Sequence, residues 1–209
     1  MGIKELAMRM GANPQMAHVL EQVMLSLGID TPLRISHFLG QMAAESGGFK
    51  RTIESMNYSV EGLMRTFSRR RISAQDCARL GRTQGRAADQ KAIANLVYGG
   101  NWGRINLGNF IDGDGWKFRG HGLMQTTGRG NVTNLSRGMF SDNRLADNPF
   151  PIAQIPLCVE SAGFYWRTRD CNSAADRNDA IAVTKKINPG LHGIDLRIER
   201  TKFAQRMLG

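Results

Sequence analysis

Two carboxylates, Glu45 and Glu54, stand on either side of a Gly47-Gly48 break, an arrangement that invites general acid/base chemistry. Such chemistry needs one carboxyl that keeps a proton for a leaving oxygen and a second, ionised, that activates water. The element that must position the first is a helix beginning at Thr31-Pro32. Thr31 is a good N-cap and Pro32 fits the first helical position, while Ile35, Phe38, Leu39, Met42 and Ala43 recur at helical spacing and predict one buried stripe. At about 100° per residue Glu45 falls at the edge of that stripe, with Phe38, Gln41 and Met42 stacked below it. It is therefore expected to be half buried in the last turn, where burial and the negative end of the helix dipole both disfavour the ionised form. From this stretch alone, a solvated glutamate that merely ends a helix is the plain alternative. Glu54 lies beyond the break in a loop, 50–59, that also carries Asn57 and Tyr58.

The chain has 209 residues, 41% of them hydrophobic, enough for one domain or one domain with a small lobe. Cys77, Cys158 and Cys171 form no Cys-x-x-Cys pair and the four histidines are scattered, so neither a disulfide framework nor a zinc site is indicated. The thiols are expected to be reduced, and no cofactor is expected. Residues 1–10 lack a charged start followed by an apolar run, and no apolar run approaches about 18 residues, so the protein is expected to be made soluble in a cytoplasm. A net charge of +10, from 28 Lys and Arg against 18 Asp and Glu, draws the protein to a polyanion: nucleic acid, an anionic membrane surface or an acidic wall polymer.

Along the chain, 1–11 and 13–27 read as helices whose Met16 and Met24 stripe is core, while His18 and His37 fall off the apolar faces and read as solvated. Ser59 caps a helix with Val60, Leu63, Met64 and Phe67 inward. The polar stretch 68–86 contains Arg69-Arg70-Arg71, read as a solvated or wall-binding face, and a capping box at Ser73 and Asp76; 87–97 is helical again. The segment 101–131 is rich in glycine, shows little helical periodicity and holds Trp102, Phe110, Trp116 and Phe118. It reads as a loop lining a ligand, its rings suited to stacking on sugars or bases. Asp112-Gly113-Asp114-Gly115 lacks the third oxygen position and closing glutamate of a calcium loop and reads as a turn. Helices follow at 156–166, 178–187 and 194–208, and the chain as a whole reads as all-α.

Five segments together resemble the family 19 glycoside hydrolases, in the short form found as bacteriophage and prophage endolysins. They are Gln41 to Phe49, Glu54 to Ser59, Ala94 to Gly100, Gly113 to Asn131 and Lys186 to Gly190, in family order over roughly residues 35–200. The resemblance implies a lysozyme-like, two-lobed helical fold with a catalytic cleft between a larger lobe and a small one. The whole chain, 1–209, would be a single catalytic domain with the small helical lobe inserted at about 59–100 and no separate wall-binding domain. It implies that Glu45 is the general acid, Glu54 the general base, and Thr127 a hydroxyl that helps hold the attacking water. Tyr58, Trp116, Gln125, Asn131 and Asn188 become candidate sugar contacts, and Arg197 looks like the family's arginine that supports the acid. His121 and Val132 stand where related enzymes often have Arg and Tyr, and Leu191-His192 stands where plant chitinases carry an acidic residue. The implied activity is an inverting endolysin that cuts the glycan strands of bacterial peptidoglycan and lyses the host. It would be a monomer attracted to the anionic cell envelope, held in the host cytoplasm until a membrane pore releases it to the wall in the periplasm. The alternative is a chitinase acting on β-1,4-linked N-acetylglucosamine polymers. A nucleic-acid-binding role through Arg69 to Arg71 finds no recognised module to support it, and no nucleic-acid partner is expected.

Overall fold

The caps read from the sequence open helices in the computed structural model, which describes residues 1–209 and is all-helical, with isolated β-bridges but no strands. The helices are α1 Ile3–Arg9, α2 Pro14–Ser26, α3 Pro32–Ser46, α4 Val60–Thr66, α5 Ala74–Leu80, α6 Gln90–Val97 and α7 Gly100–Leu107, followed by α8 Asp114–Lys117, α9 Arg129–Phe140, α10 Arg144–Asp147, α11 Leu157–Thr168, α12 Cys171–Asp176, α13 Ala180–Ile187 and α14 Ile194–Leu208. Side chains of Asn13, Thr31, Ser59, Ser73, Asp89 and Asp179 each accept a backbone N–H in the first turn of the helix they cap. No helix is long and apolar enough to cross a membrane.

The chain divides into two compact units, one formed by Met1–Thr52, Gly122–Met124 and Pro151–Gly209, the other by Ile53–His121 and Gln125–Phe150. The first is built round α3. Met16, Leu20, Met24, Phe38, Met42 and Trp166 share its core, with the Phe38 and Trp166 rings edge to face at 5.2 Å. The single stripe expected of α3 is too narrow a description, because α12, α13 and α14 also pack on it and nearly its whole circumference is buried. His37 is therefore not solvated. It is fully buried, its Nε2 is 2.9 Å from Asn178 Oδ1, and burial lowers its pKa. His18 does face solvent. All three cysteines are buried and free, and burial pushes the Cys158 and Cys171 thiols up to about 11.

The second unit has its own smaller core of Met56, Leu63, Phe67, Ile72, Leu80, Ile93 and Val97. Here the expectation of an irregular 101–131 loop is corrected: α7, α8 and the start of α9 lie within it. These helices are only four to twelve residues long, and α7 and α8 are too short to show a period. Arg69 is exposed, as a solvated face requires, and Arg71 is half-buried, but both also bond to the protein. The Arg69 guanidinium donates to the carbonyls of Leu63, Met64, Phe67 and Ile72, while Arg71 donates to Val97 O at 2.8 Å and stacks on Trp102 at 3.8 Å. Arg69 and Arg70 are both exposed, and of the three arginines Arg70 alone makes no such bond.

The tightest helix contact in the first unit is α14 on α3. A Cβ added to Gly40 would lie 2.8 Å from Thr201 N and 2.9 Å from Thr201 Cα, backbone atoms that cannot move aside. Gly40→Ala is expected to destabilise the protein by about 1–3 kcal/mol, the usual cost of overpacking. Denaturant unfolding checks this; an unchanged midpoint would mean that the helices separate without strain.

Candidate active site

In the first unit, Glu45 ends α3 one turn after Gln41, so both side chains project from the same face. Gly47, with φ +62°, stops the helix, its N–H bonded to Ala43 O. Arg197, in the first turn of α14, meets this face with its whole guanidinium. Its Nη2 donates to Glu45 Oε1 at 2.6 Å, its Nη1 to Gln41 Oε1 at 2.8 Å and its Nε to the His192 carbonyl at 3.0 Å. Gln41 is bonded at both ends, since its Nε2 donates to Thr184 Oγ1 at 2.9 Å. The Arg197 side chain is 5% exposed and that of Glu45 19%, so the pair is largely desolvated while the carboxylate keeps an open edge. Half-burial of Glu45 was expected, and the structure adds an arginine bonded directly to it. With Leu191-His192 in place of an acidic residue, Arg197 is neutralised by Glu45 itself, aided by two neutral oxygens. Asn188 joins the network through its backbone, its N–H donating to the Thr184 carbonyl at 2.6 Å.

In the second unit, Glu54 is held by a short extended segment against Gly120. The Glu54 N–H donates to Gly120 O at 2.8 Å, the Gly120 N–H returns to Glu54 Oε2 at 3.0 Å, and Ile53 bridges His121 alongside. A Cβ on Gly120 would come within 2.7 Å of Gln125 Oε1 and 3.2 Å of Glu54 Cβ, so a side chain there would push into both. The other carboxylate oxygen, Oε1, accepts the Tyr98 hydroxyl at 2.7 Å. Burial, reinforced by the Glu54 charge, raises the Tyr98 pKa far above the usual phenol value, so this hydroxyl remains a donor. Arg71 and Arg119 both feel the Glu54 charge; burial lowers the pKa of each guanidinium and Glu54 partly restores it. Thus Glu54 sits in a partly buried, positively biased surrounding in which both oxygens are directed.

Thr127, Gln125 and Asn131 lie together. Thr127 Oγ1 donates to the Gln125 carbonyl at 2.8 Å, and Asn131 Nδ2 donates to the Thr127 carbonyl at 2.7 Å. Gln125 has a left-handed backbone, φ +50°, in the tight link from His121 to Thr126, whose backbone groups bond each other in both directions. Trp116 is half-buried against the second core, with the Arg119 guanidinium stacked at 3.6 Å on its ring. Tyr58 packs edge to face on Phe67 at 5.3 Å. Tyr98, Gly120, Thr184, Arg71 and Arg119 are the site neighbours that sequence reasoning did not place beside the two carboxylates. Tyr98 and Gly120 lay inside recognisable segments, but nothing local to either says that it meets Glu54.

No family model matches the chain. A curated relative from Haemophilus influenzae, described as a glycosyl hydrolase family 19 domain-containing protein, is 36% identical to it over 171 residues, covering 82% of this chain and 76% of the relative. The chain belongs to glycosyl hydrolase family 19. It is therefore a glycoside hydrolase, and the carboxylates Glu45 and Glu54 of this family 19 chain are its candidate acid/base groups.

His121 generates a pH prediction. It is 2% exposed, its Nδ1 has no partner, and burial, with Arg119 nearby, lowers its pKa from 6.5 to about 4. The fold thus prefers the neutral ring, and stability is full above the unfolded value near pH 6.5 and falls as pH drops toward 4. Replacing it by the neutral amide in His121→Gln is expected to flatten that part of the melting-temperature profile by an amount equivalent to about 3 kcal/mol. Parallel profiles for the two proteins would show that His121 does not titrate against the fold. Arg197→Ala should cost on the order of 3 kcal/mol in chemical denaturation, because it strands Glu45 and Gln41 in a half-buried site; a loss under 1 kcal/mol would mean that the pair is solvated.

Proposed function

We propose that this family 19 enzyme hydrolyses the glycan backbone of bacterial peptidoglycan with inversion, Glu45 giving a proton to the leaving oxygen and Glu54 taking one from the attacking water. The observation that carries this reading is that each carboxylate has dedicated partners that orient it: Arg197 for Glu45, Tyr98 and the Gly120 N–H for Glu54. Fixed orientation matters because a proton must move along a defined line as the bond breaks. Arg197 favours the late part of the step, since Glu45 becomes a carboxylate once its proton has gone. Around Glu54 the Tyr98 and Gly120 donors fix both carboxylate oxygens and leave lone pairs free for water. Thr127 shares the hydrogen bonds of that water. Gln125, Asn131 and Asn188 supply amides for sugar hydroxyl and acetamide groups, while Tyr58 and Trp116 offer rings at the edge of the substrate.

The net charge of +10 supports an acidic wall polymer over neutral chitin as the substrate. We read the biological role as that of an endolysin: a monomer held in the host cytoplasm, released through a membrane pore, and acting on the wall without cofactor or nucleic acid. Mass spectrometry of digested, purified peptidoglycan tests the reaction, with new reducing ends in the glycan strands expected and cleaved amide or peptide bonds counting against it. Glu45→Gln and Glu54→Gln should each lower the rate by about 10²-fold or more with unchanged circular dichroism; near-parental rates in either would remove that residue from its role. Wall cleavage should weaken as salt rises, because exposed charges are screened beyond about 8–10 Å at moderate ionic strength. Salt-independent cleavage with a preference for chitin oligomers would make the enzyme a chitinase instead.

A further inference from the structure

The second unit contains a pocket of about 400 Å³ that none of the candidate site residues lines. Its size is within the range of small-molecule sites, roughly 300–1,000 Å³. Part of its polar wall is committed to the protein. Asp114, 2% exposed, binds Arg129 and accepts the N–H groups of Phe110 and Ile111, and Asn109 is bonded to Tyr98 O and Arg129 N. The rest is uncommitted. Asn95 gives its Oδ1 to the Trp116 N–H and keeps its Nδ2 unspent, while the side chains of Asn101, Arg104 and Asp112 make no hydrogen bond or ion pair within the protein. Beside them the Phe110 ring is 67% exposed, with Arg129 5.1 Å from its centroid.

This set of free groups selects a kind of ligand. Arg104 and Asp112 carry opposite charges and the third charge on the lining, Asp114, is paired with Arg129, so the pocket has no excess of either sign, although the chain as a whole is strongly basic. Two amides, a guanidinium and a carboxylate match a ligand dense in neutral donors and acceptors, and an exposed ring matches one that also has a flat C–H face. An N-acetylated sugar ring meets both conditions, and the enzyme's polymer substrates are built from such rings. We infer that this pocket is a second glycan-binding site, separate from the Glu54 site, that takes a neutral N-acetylhexosamine unit of the polymer. The enzyme then holds its substrate at two points, and the second contact raises the effective concentration of the glycan at the first.

The inference rests on the glycoside hydrolase assignment but not on the roles of Glu45 and Glu54, and a binding measurement separates the two. Full-length ¹⁵N-labelled protein carrying Glu54→Gln is titrated with di-N-acetylchitobiose and, separately, with the N-acetylglucosaminyl–N-acetylmuramic acid disaccharide. Saturable amide shifts over residues 99–115 with either sugar are expected, and the sugar that produces them identifies chitin-like or wall-like units as the ligand. Adding Phe110→Ala or Asp112→Ala, both exposed positions, should remove those shifts while leaving any at residues 120–127. In the otherwise unmodified enzyme, Phe110→Ala should raise KM for the polymer by about tenfold or more and leave kcat/KM on a short soluble oligosaccharide unchanged. No saturable shift over 99–115 with either sugar, shifts that survive both substitutions, or equal losses on polymer and oligosaccharide would overturn the second site.

Discussion

The Arg197 guanidinium is a buried cation, and much of the first unit is arranged so that it is not buried alone. An unpaired charge at 5% exposure would cost several kcal/mol, so its three nitrogens must all find acceptors. They find them on three separate pieces of chain: Glu45 and Gln41 one turn apart on α3, and the carbonyl of His192 just before α14. The reach is possible because α14 crosses α3 at Gly40, where there is no side chain to hold the backbones apart. Thr184 on α13 then completes Gln41. Packing and chemistry are therefore one problem here: the contact that seats α14 also orients the candidate acid.

The second unit solves a different problem with the same residue type. Its helices are short, so a large share of their carbonyls lies in unpaired last turns. Arginine supplies the missing donors: Arg69 serves the end of α4, Arg86 serves Ala78 and Gly81 at the end of α5, and Arg71 serves Val97 at the end of α6. A good part of the chain's arginine content is thus structural. Arg71 does both jobs, since it also packs on the Tyr98 ring, whose hydroxyl holds Glu54.

What was legible in the sequence follows from range. Caps at Thr31, Ser59 and Ser73, the methionine core of α2 and the stop at Gly47 are decided by neighbours within a turn or two, and they appear as read. Glu45 at the edge of a buried face was legible for the same reason. His37 was misread because its partner, Asn178, is 141 residues away and the helices that enclose α3 leave no mark on its local pattern. The arginine run was read only in part: Arg69 and Arg70 are exposed as expected, but the carbonyls that Arg69 and Arg71 cap leave no mark on the local sequence. Helices α7 and α8 were missed because four to eight residues with glycine among them carry no measurable period. The pairing of Arg197 with Glu45 was accessible only through likeness to a family, since no spacing rule links residues 152 positions apart.

The central claim is that Glu45 and Glu54 act as acid and base on one glycosidic bond. An acid and base that admit a water between them stand roughly 6.5–9.5 Å apart and invert the anomeric carbon, whereas a nucleophilic carboxylate at about 5–5.5 Å retains it. Time-resolved proton NMR of the first-formed reducing end measures this outcome directly. The account predicts the inverted anomer at early times, followed by slow mutarotation; a first product of unchanged configuration would contradict Glu54 as the base.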